Sequence, residues 1–146
     1  TLQPGRGAFS GVLAHLAALE LDNLEMFLTF QYRWRSIGVG GSDFDFGDTF
    51  SVSTSAAYRF VKEEHPGSSL SLSLGLSYSY TSPHRDNGDE VGSSGSRVIN
   101  LTPAWIWHPT VWWDMKLSVN IPVFRDVNGT QAHAPYSISL GLGRRF

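Results

Sequence analysis

Across residues 23–34 the even positions read Leu24, Met26, Leu28, Phe30, Tyr32 and Trp34, and the odd ones Asn23, Glu25, Phe27, Thr29, Gln31 and Arg33. A period of two is the pattern of a strand with one apolar and one polar face. It recurs over 49–61, where Phe50, Val52, Ala56, Tyr58 and Phe60 oppose Ser51, Ser53, Ser55, Ala57 and Arg59. Over 69–80, Leu70, Leu72, Leu74, Leu76, Tyr78 and Tyr80 oppose only Ser and Gly. Residues 97–108 bring Ile99, Leu101, Pro103, Trp105 and Trp107 together. Residues 111–123 set Val111, Trp113, Met115, Leu117, Val119, Ile121 and Val123 against Asp114, Lys116, Ser118 and Asn120. The last run, 136–146, aligns Tyr136, Ile138, Leu140, Leu142 and Phe146 against Ser137, Ser139, Gly141, Gly143 and Arg145. Six strands are predicted. Residues 9–21 fit a helix slightly better by period alone, but a tight Leu21-Asp22-Asn23 turn into the next strand favours a seventh.

The predicted connections alternate in length: short at Asp22, long over 35–48, short over 62–67, long over 82–96, short at Pro109 and long over 125–133. Brief turns on one side and longer loops on the other, joining strands of about 9–11 residues or more, characterise outer-membrane barrels. The aromatic residues sort accordingly. Trp34, Phe50, Tyr78, Tyr80 and Tyr136 fall near the long-loop ends; Tyr58, Phe60, Trp105, Trp107, Trp113 and Phe146 fall near the short-turn ends, with aliphatic residues between. Lipid headgroup interfaces select two such girdles. The expected fold is an all-β, antiparallel, up-and-down transmembrane β-barrel with about seven strands in this chain. A soluble sandwich or lipocalin-like barrel, with its apolar side turned inward, is the alternative.

Composition narrows the function. With 146 residues the chain is read as a single domain, 1–146. Only 16% of residues are charged, which is little to coat a soluble surface, and a formal charge of −2 gives no cationic field for nucleic acid. The absence of cysteine excludes disulfides, thiolate metal sites and Cys nucleophiles. Glu20 interrupts the longest apolar run of the first third after about ten residues, short of a membrane-spanning helix. The opening Thr-Leu-Gln-Pro has no initiator Met and no basic or apolar export region, so a processed or partial chain is expected. Seven is also odd, whereas bacterial single-chain barrels use even numbers. The expectation is therefore the C-terminal portion of a larger barrel, completed by upstream strands or a further chain.

If the bulky residues face lipid, the opposite rows line an enclosed interior. The candidates there are Glu25, Gln31, Arg33, Arg59, Asn100, Asp114, Lys116, Asn120 and Arg145, among many Ser and Gly. Small side chains leave room and mixed charges shape the field, as a weakly selective pore requires; the same charges could instead pair across the interior and help plug it. No enzyme activity is expected. His133 and Ser137 share a strand face but lie about 13 Å apart along it, while a cross-strand pair such as Asn100 with Ser118 stays open. No catalytic, cofactor or metal residues are assigned: the five histidines are scattered, and Asp86-Asn87-Gly88-Asp89-Glu90 lacks EF-hand spacing and reads as a solvated acidic loop. Asn128-Gly129 reads as a tight turn, and Pro103 and Pro122 each predict a bulge or local end of pairing.

Several motifs resemble a known family. Pro4-Gly5-Arg6-Gly7-Ala8-Phe9, Asp45-Phe46-Gly47-Asp48, Ser94-Gly95-Ser96, Leu101-Thr102-Pro103, the run from Ile121 through Asn128-Gly129-Thr130-Gln131, and Ser139-Leu140-Gly141-Leu142-Gly143-Arg144-Arg145-Phe146 are similar to the C-terminal half of the outer-membrane family named for the meta-pathway of phenol degradation. A C-terminal Phe on a last strand also resembles the assembly signal of outer-membrane barrels. Pro103-Ala104 stands where that family tends to carry Pro-Gly, and Trp105, Trp107, Trp112 and Trp113 make this region unusually Trp-rich. The resemblance implies a Gram-negative outer-membrane barrel, porin-like, whose partners are membrane lipid and small solutes, aromatic or hydrophobic ones among them. The competing expectations are a structural or subunit barrel of an envelope assembly and a lipid-modifying enzyme.

Overall fold

The computed structural model describes residues 10–35, 44–62, 67–129 and 135–144. Its main element is a seven-stranded antiparallel sheet built from β1 (Ser10–Leu21), β2 (Leu24–Arg35), β4 (Thr49–Lys62), β5 (Ser69–Thr81), β8 (Ser96–Thr110), β9 (Trp113–Val127) and β10 (Ser137–Arg144). They lie side by side in chain order, so every long strand pairs with its sequence neighbour. The ambiguous first segment is a strand, joined to β2 by a two-residue loop in which Asp22 adopts φ 49°. Each β1 residue from Ser10 to Leu21 has a partner on β2, and that ladder outweighs the weak helical period.

The sheet is open. Among the described residues β1 pairs only with β2 and β10 only with β9, so the seven strands do not close into a barrel, as the odd strand count led the sequence reading to expect. The physical reason is parity: in an antiparallel meander of seven, both outer strands run in the same direction and cannot complete an antiparallel ladder with each other. Among the described residues, strands make substantial contacts only with strands on their own ladder, and no second layer covers either face.

Three local departures from the predicted strands have clear causes. The last short turn lies at Val111–Trp112 rather than at Pro109, because β8 continues to Thr110 with an irregular register after Trp107. Phe60 is an extra residue between Arg59, opposite Ser71, and Val61, opposite Leu70. On β9, Asn100 faces Pro122 and Ile99 faces Phe124, leaving Val123 as the inserted residue beside the proline, which has no N–H to offer. Pro103 acts differently: the β8–β9 ladder skips Thr102 and Pro103 without a shift, and Thr102 Oγ1 donates across the gap to Asn120 Oδ1 at 3.1 Å.

The stretches read as long loops over 35–48 and 82–96 contain a second sheet of three two-residue strands, β3 (Phe44–Asp45), β6 (Arg85–Asp86) and β7 (Asp89–Glu90). The acidic segment is thus a hairpin, not merely a loop. Asn87 (φ 52°) and Gly88 (φ 87°) occupy the two central positions, the left-handed pair that a tight I′ turn needs. Gly129 also has positive φ (72°), but the tip that follows, 130–134, lies outside the described residues, so the turn predicted there has only its first half described.

The small sheet is tied to the rim of the large one. Ser82 N donates to Asp48 O at 2.9 Å, and buried Gly47 lies so close to the Ser82 carbonyl that a Cβ would overlap it. Gly47→Ala should therefore separate this crossing and destabilise the rim by roughly 1–2 kcal/mol. The expected readout is earlier proteolytic cleavage within 82–96 while the main sheet persists.

Candidate functional site: the small-residue face

The register carries the two faces across all seven strands. One row runs Leu24, Tyr58, Leu72, Trp105, Leu117 and Leu140; the adjacent row runs Glu20, Glu25, Ala57, Ser73, Ala104, Ser118 and Ser139. The bulky rows are the open ones. Leu72, Leu74 and Leu76 expose 44%, 54% and 47% of their surface, whereas on the other side the preceding Ser71 exposes 8% and the intervening Ser73 and Gly75 are half-buried. The only buried apolar residues among those described, Ala57 and Ala104, also belong to the small-residue face. In a single layer, smaller exposure of the smaller side chains means that the sheet curves with this face on its inner side.

Of the predicted candidates, Glu25, Gln31, Arg33, Arg59, Asn100, Asp114, Lys116 and Asn120 all stand on this concave face; Arg145 lies outside the described residues, as do His65, His133, Phe146 and the 4–9 motif. They do not form one cluster. Near the short-turn end Arg59 Nη2 bonds and ion-pairs with Glu25 Oε1, both side chains being largely covered (23% and 30% exposed). The backbone N–H of Arg59 also donates to Asn23 O at 2.8 Å, fixing the strand beside the β1–β2 turn. Lys116, between Ile106 and Gly141, is exposed, and the Asp114 carboxylate lies over Gly143, in the space a side chain there would take.

The middle of the face is mostly uncharged, with Lys116 the charged residue that borders its hollow. Ser53, Ser55, Ser73, Gly75, Ser77 and Thr102 border a hollow of about 210 Å³. Asn100 lies there opposite Ser77 and Pro122, while Ser118 lies opposite Ala104, so the Asn100–Ser118 pair left open by the sequence is not formed. The structure instead brings Ser69 Oγ to 3.1 Å from His108 Nδ1 near the short-turn end. Among the described residues no carboxylate bonds this histidine, and no group of three His, Asp or Glu residues could hold a metal ion.

At the long-loop end Arg33 stands between Val12 and Thr49 on the concave face, Gln31 between Ala14 and Ser51, and Arg125 opposite Val98. Sequence reading missed Arg125 because it ended the strand at Val123 and gave 125–133 to a long loop, whereas β9 runs on to Val127 with its phase reversed by the Val123 insertion. It also passed over Glu20 and Arg35. Asp48 is occupied on the opposite side: its carboxylate accepts the Tyr32 hydroxyl at 2.6 Å and the Arg35 N–H at 3.1 Å. A polar cavity of about 400 Å³ between the rim and the small sheet is bordered by Arg35, Asp48, Tyr80 and Arg85.

On the bulky face, charges are confined almost wholly to the ends. Arg97 and Asp126 stand opposite each other near the long loops, with the Arg97 guanidinium 5.7 Å from the Tyr80 ring centre. Arg144 stands near the short turns, 5.5 Å from the Trp113 ring centre. His15, opposite Phe30 on outer strand β1, is the one ionisable side chain between them among the described residues. Comparisons of the chain with protein-family models, curated proteins and solved structures give no match.

Proposed function

We propose that the chain is part of a transmembrane β-barrel of a bacterial outer membrane and forms a wall of a passive channel for small solutes. The observation that carries this reading is the inverted exposure: half-open leucines on one face and less exposed serines on the other, with no layer across the leucines among the described residues. A soluble sandwich would have those leucines packed between sheets. Lipid is the solvent in which an uncovered row of Leu, Met and Ile is favourable, and the inward Ser, Thr, Asn and Gly groups suit a water-filled interior.

The aromatic rows support the same orientation. Tyr80 and Leu70, whose β8 partner is Trp107, are ten residues apart on β5. That is about 33 Å of strand, or about 25 Å of height at the 35–45° tilt of outer-membrane barrels, the usual thickness of their apolar band. Arg97 and Arg144 then fall at headgroup depth, where cations on aromatic rings are well placed. The two outer strands present unpaired backbone groups that cannot remain so in lipid, so completion requires an odd number of further strands. The motif resemblance to the phenol meta-pathway outer-membrane family points in the same direction.

The test is conductance in planar lipid bilayers of the complete barrel that contains this chain, with insertion verified independently by protease protection. Stepwise, weakly selective conductance is expected. Inserted protein that carries no current would replace the channel by a plugged or purely structural barrel, for which Glu25–Arg59 pairing would be the prototype.

A further inference from the structure

The concave face is neither uniformly polar nor uniformly charged. Its long-loop end carries Arg33, Arg35 and Arg125, and no Asp or Glu stands on that face among the described residues until the Glu20–Glu25 row near the other end. Beside Arg33, the β1–β2 part of the face departs from serine: Val12 and Leu16 are 48% and 65% exposed, and Phe27 is exposed below them. Thr29, opposite Leu16, is four residues from Arg33 along β2, a separation of about 13 Å that a long arginine side chain shortens. Both faces of β1 are therefore apolar at mid-strand, although a water-facing wall gains nothing from Leu16.

We infer that this strip is a recognition subsite for organic anions with an apolar body, Arg33 taking the carboxylate or sulfonate and Val12 and Leu16 the hydrocarbon. The assignment rests on the channel reading and specifies its solute class. A guanidinium offers two parallel N–H donors to such a head group, and the hydrocarbon leaves water on meeting the strip. Among the described residues, the acidic groups at this end do not cancel the arginine on this face: Asp45 borders the cavity between the rim and the small sheet. Asp48 is held by Tyr32 and Arg35 on the other side of the rim. Asp86, Asp89 and Glu90 belong to the exposed small sheet beyond the strand ends, with Arg85 among them, where salt screens them. Exposure of the subsite keeps binding weak enough for a solute to leave, which conduction needs.

The probe is hexanoate, with acetate and hexylammonium as comparators. Binding is measured by titration calorimetry on the protein in lipid vesicles, with protein-free vesicles as background, and chloride current by planar-bilayer recording. Hexanoate should bind and reduce current at concentrations about tenfold below either comparator, and Arg33→Gln and Leu16→Ser should each weaken it about five- to tenfold, judged against each variant's own current without added solute. Equal effects of hexanoate and hexylammonium, or unchanged affinity in both variants, would overturn the subsite. Binding that depends on Arg33 without any current would uphold the subsite and remove the channel; current without hexanoate binding would do the reverse.

Discussion

Leu74→Arg is expected to destabilise the membrane-inserted protein by about 2–4 kcal/mol, the largest effect of any single substitution considered. Leu74 is half exposed in the middle of the bulky face, in the row with Met26, Ala56, Pro103, Val119 and Ile138. Were this face a water-exposed surface, arginine there would change stability by no more than about 0.5 kcal/mol and would improve solubility. In lipid the guanidinium has no anionic partner at that depth among the described residues, since Asp126, the one acidic side chain of this face, sits at its end opposite Arg97. Denaturant titration of folding into phospholipid vesicles measures the difference. Ser73→Arg, one position away on the concave face, is the control and should cost much less, because its side chain meets water.

The second large effect is expected at Glu25 and Arg59. Removing either charge, by Glu25→Gln or Arg59→Met, should cost about 1–3 kcal/mol, because the survivor stays in a largely covered position with its partner gone. The double variant should recover part of that loss, giving a coupling of about 1–2 kcal/mol in a double-mutant cycle. Exposed ion pairs couple by less, about 0.2–1 kcal/mol, and fade with salt. A coupling that persists in high salt would therefore place the pair within the wall, and one that vanishes would place it in open water. The Arg59 N–H to Asn23 O bond survives every one of these changes, so the register of β2 against β4 should hold.

What the sequence made legible was whatever rests on the period of two. The runs 23–34, 49–61 and 69–80 match β2, β4 and β5 to within one residue, because six or more alternating positions leave one phase only. The faces of eight candidate residues followed from the same count. Phase is also where the reading failed. One inserted residue at Val123 turned Arg125 inward and set Val123 and Phe124 both outward; Pro122 signalled a bulge here, but alternation counted from Val111 tells neither which residue is inserted nor that the strand runs on to Val127. The two-residue strands of the small sheet are too short to have a period, although Asn87-Gly88 between them was a visible hairpin signal. Ser69–His108 and Glu25–Arg59 are 39 and 34 residues apart, and pairing over such distances depends on register across loops whose lengths do not fix it.

Ala57 and Ala104 are the whole of the buried apolar inventory among the described residues, and this bears on how the chain reaches its structure. In water, such a sheet gathers almost none of the nonpolar contact that offsets the loss of chain entropy. Whatever covers Leu72, Leu74 and Leu76 must arrive as the strands assemble, so acquiring the native state has the kinetics of an encounter between chain and covering rather than of a collapse within the chain. Its rate should then scale with the amount and thickness of the lipid offered, and a transit through an aqueous compartment would demand an escort that shields those leucines until they are delivered.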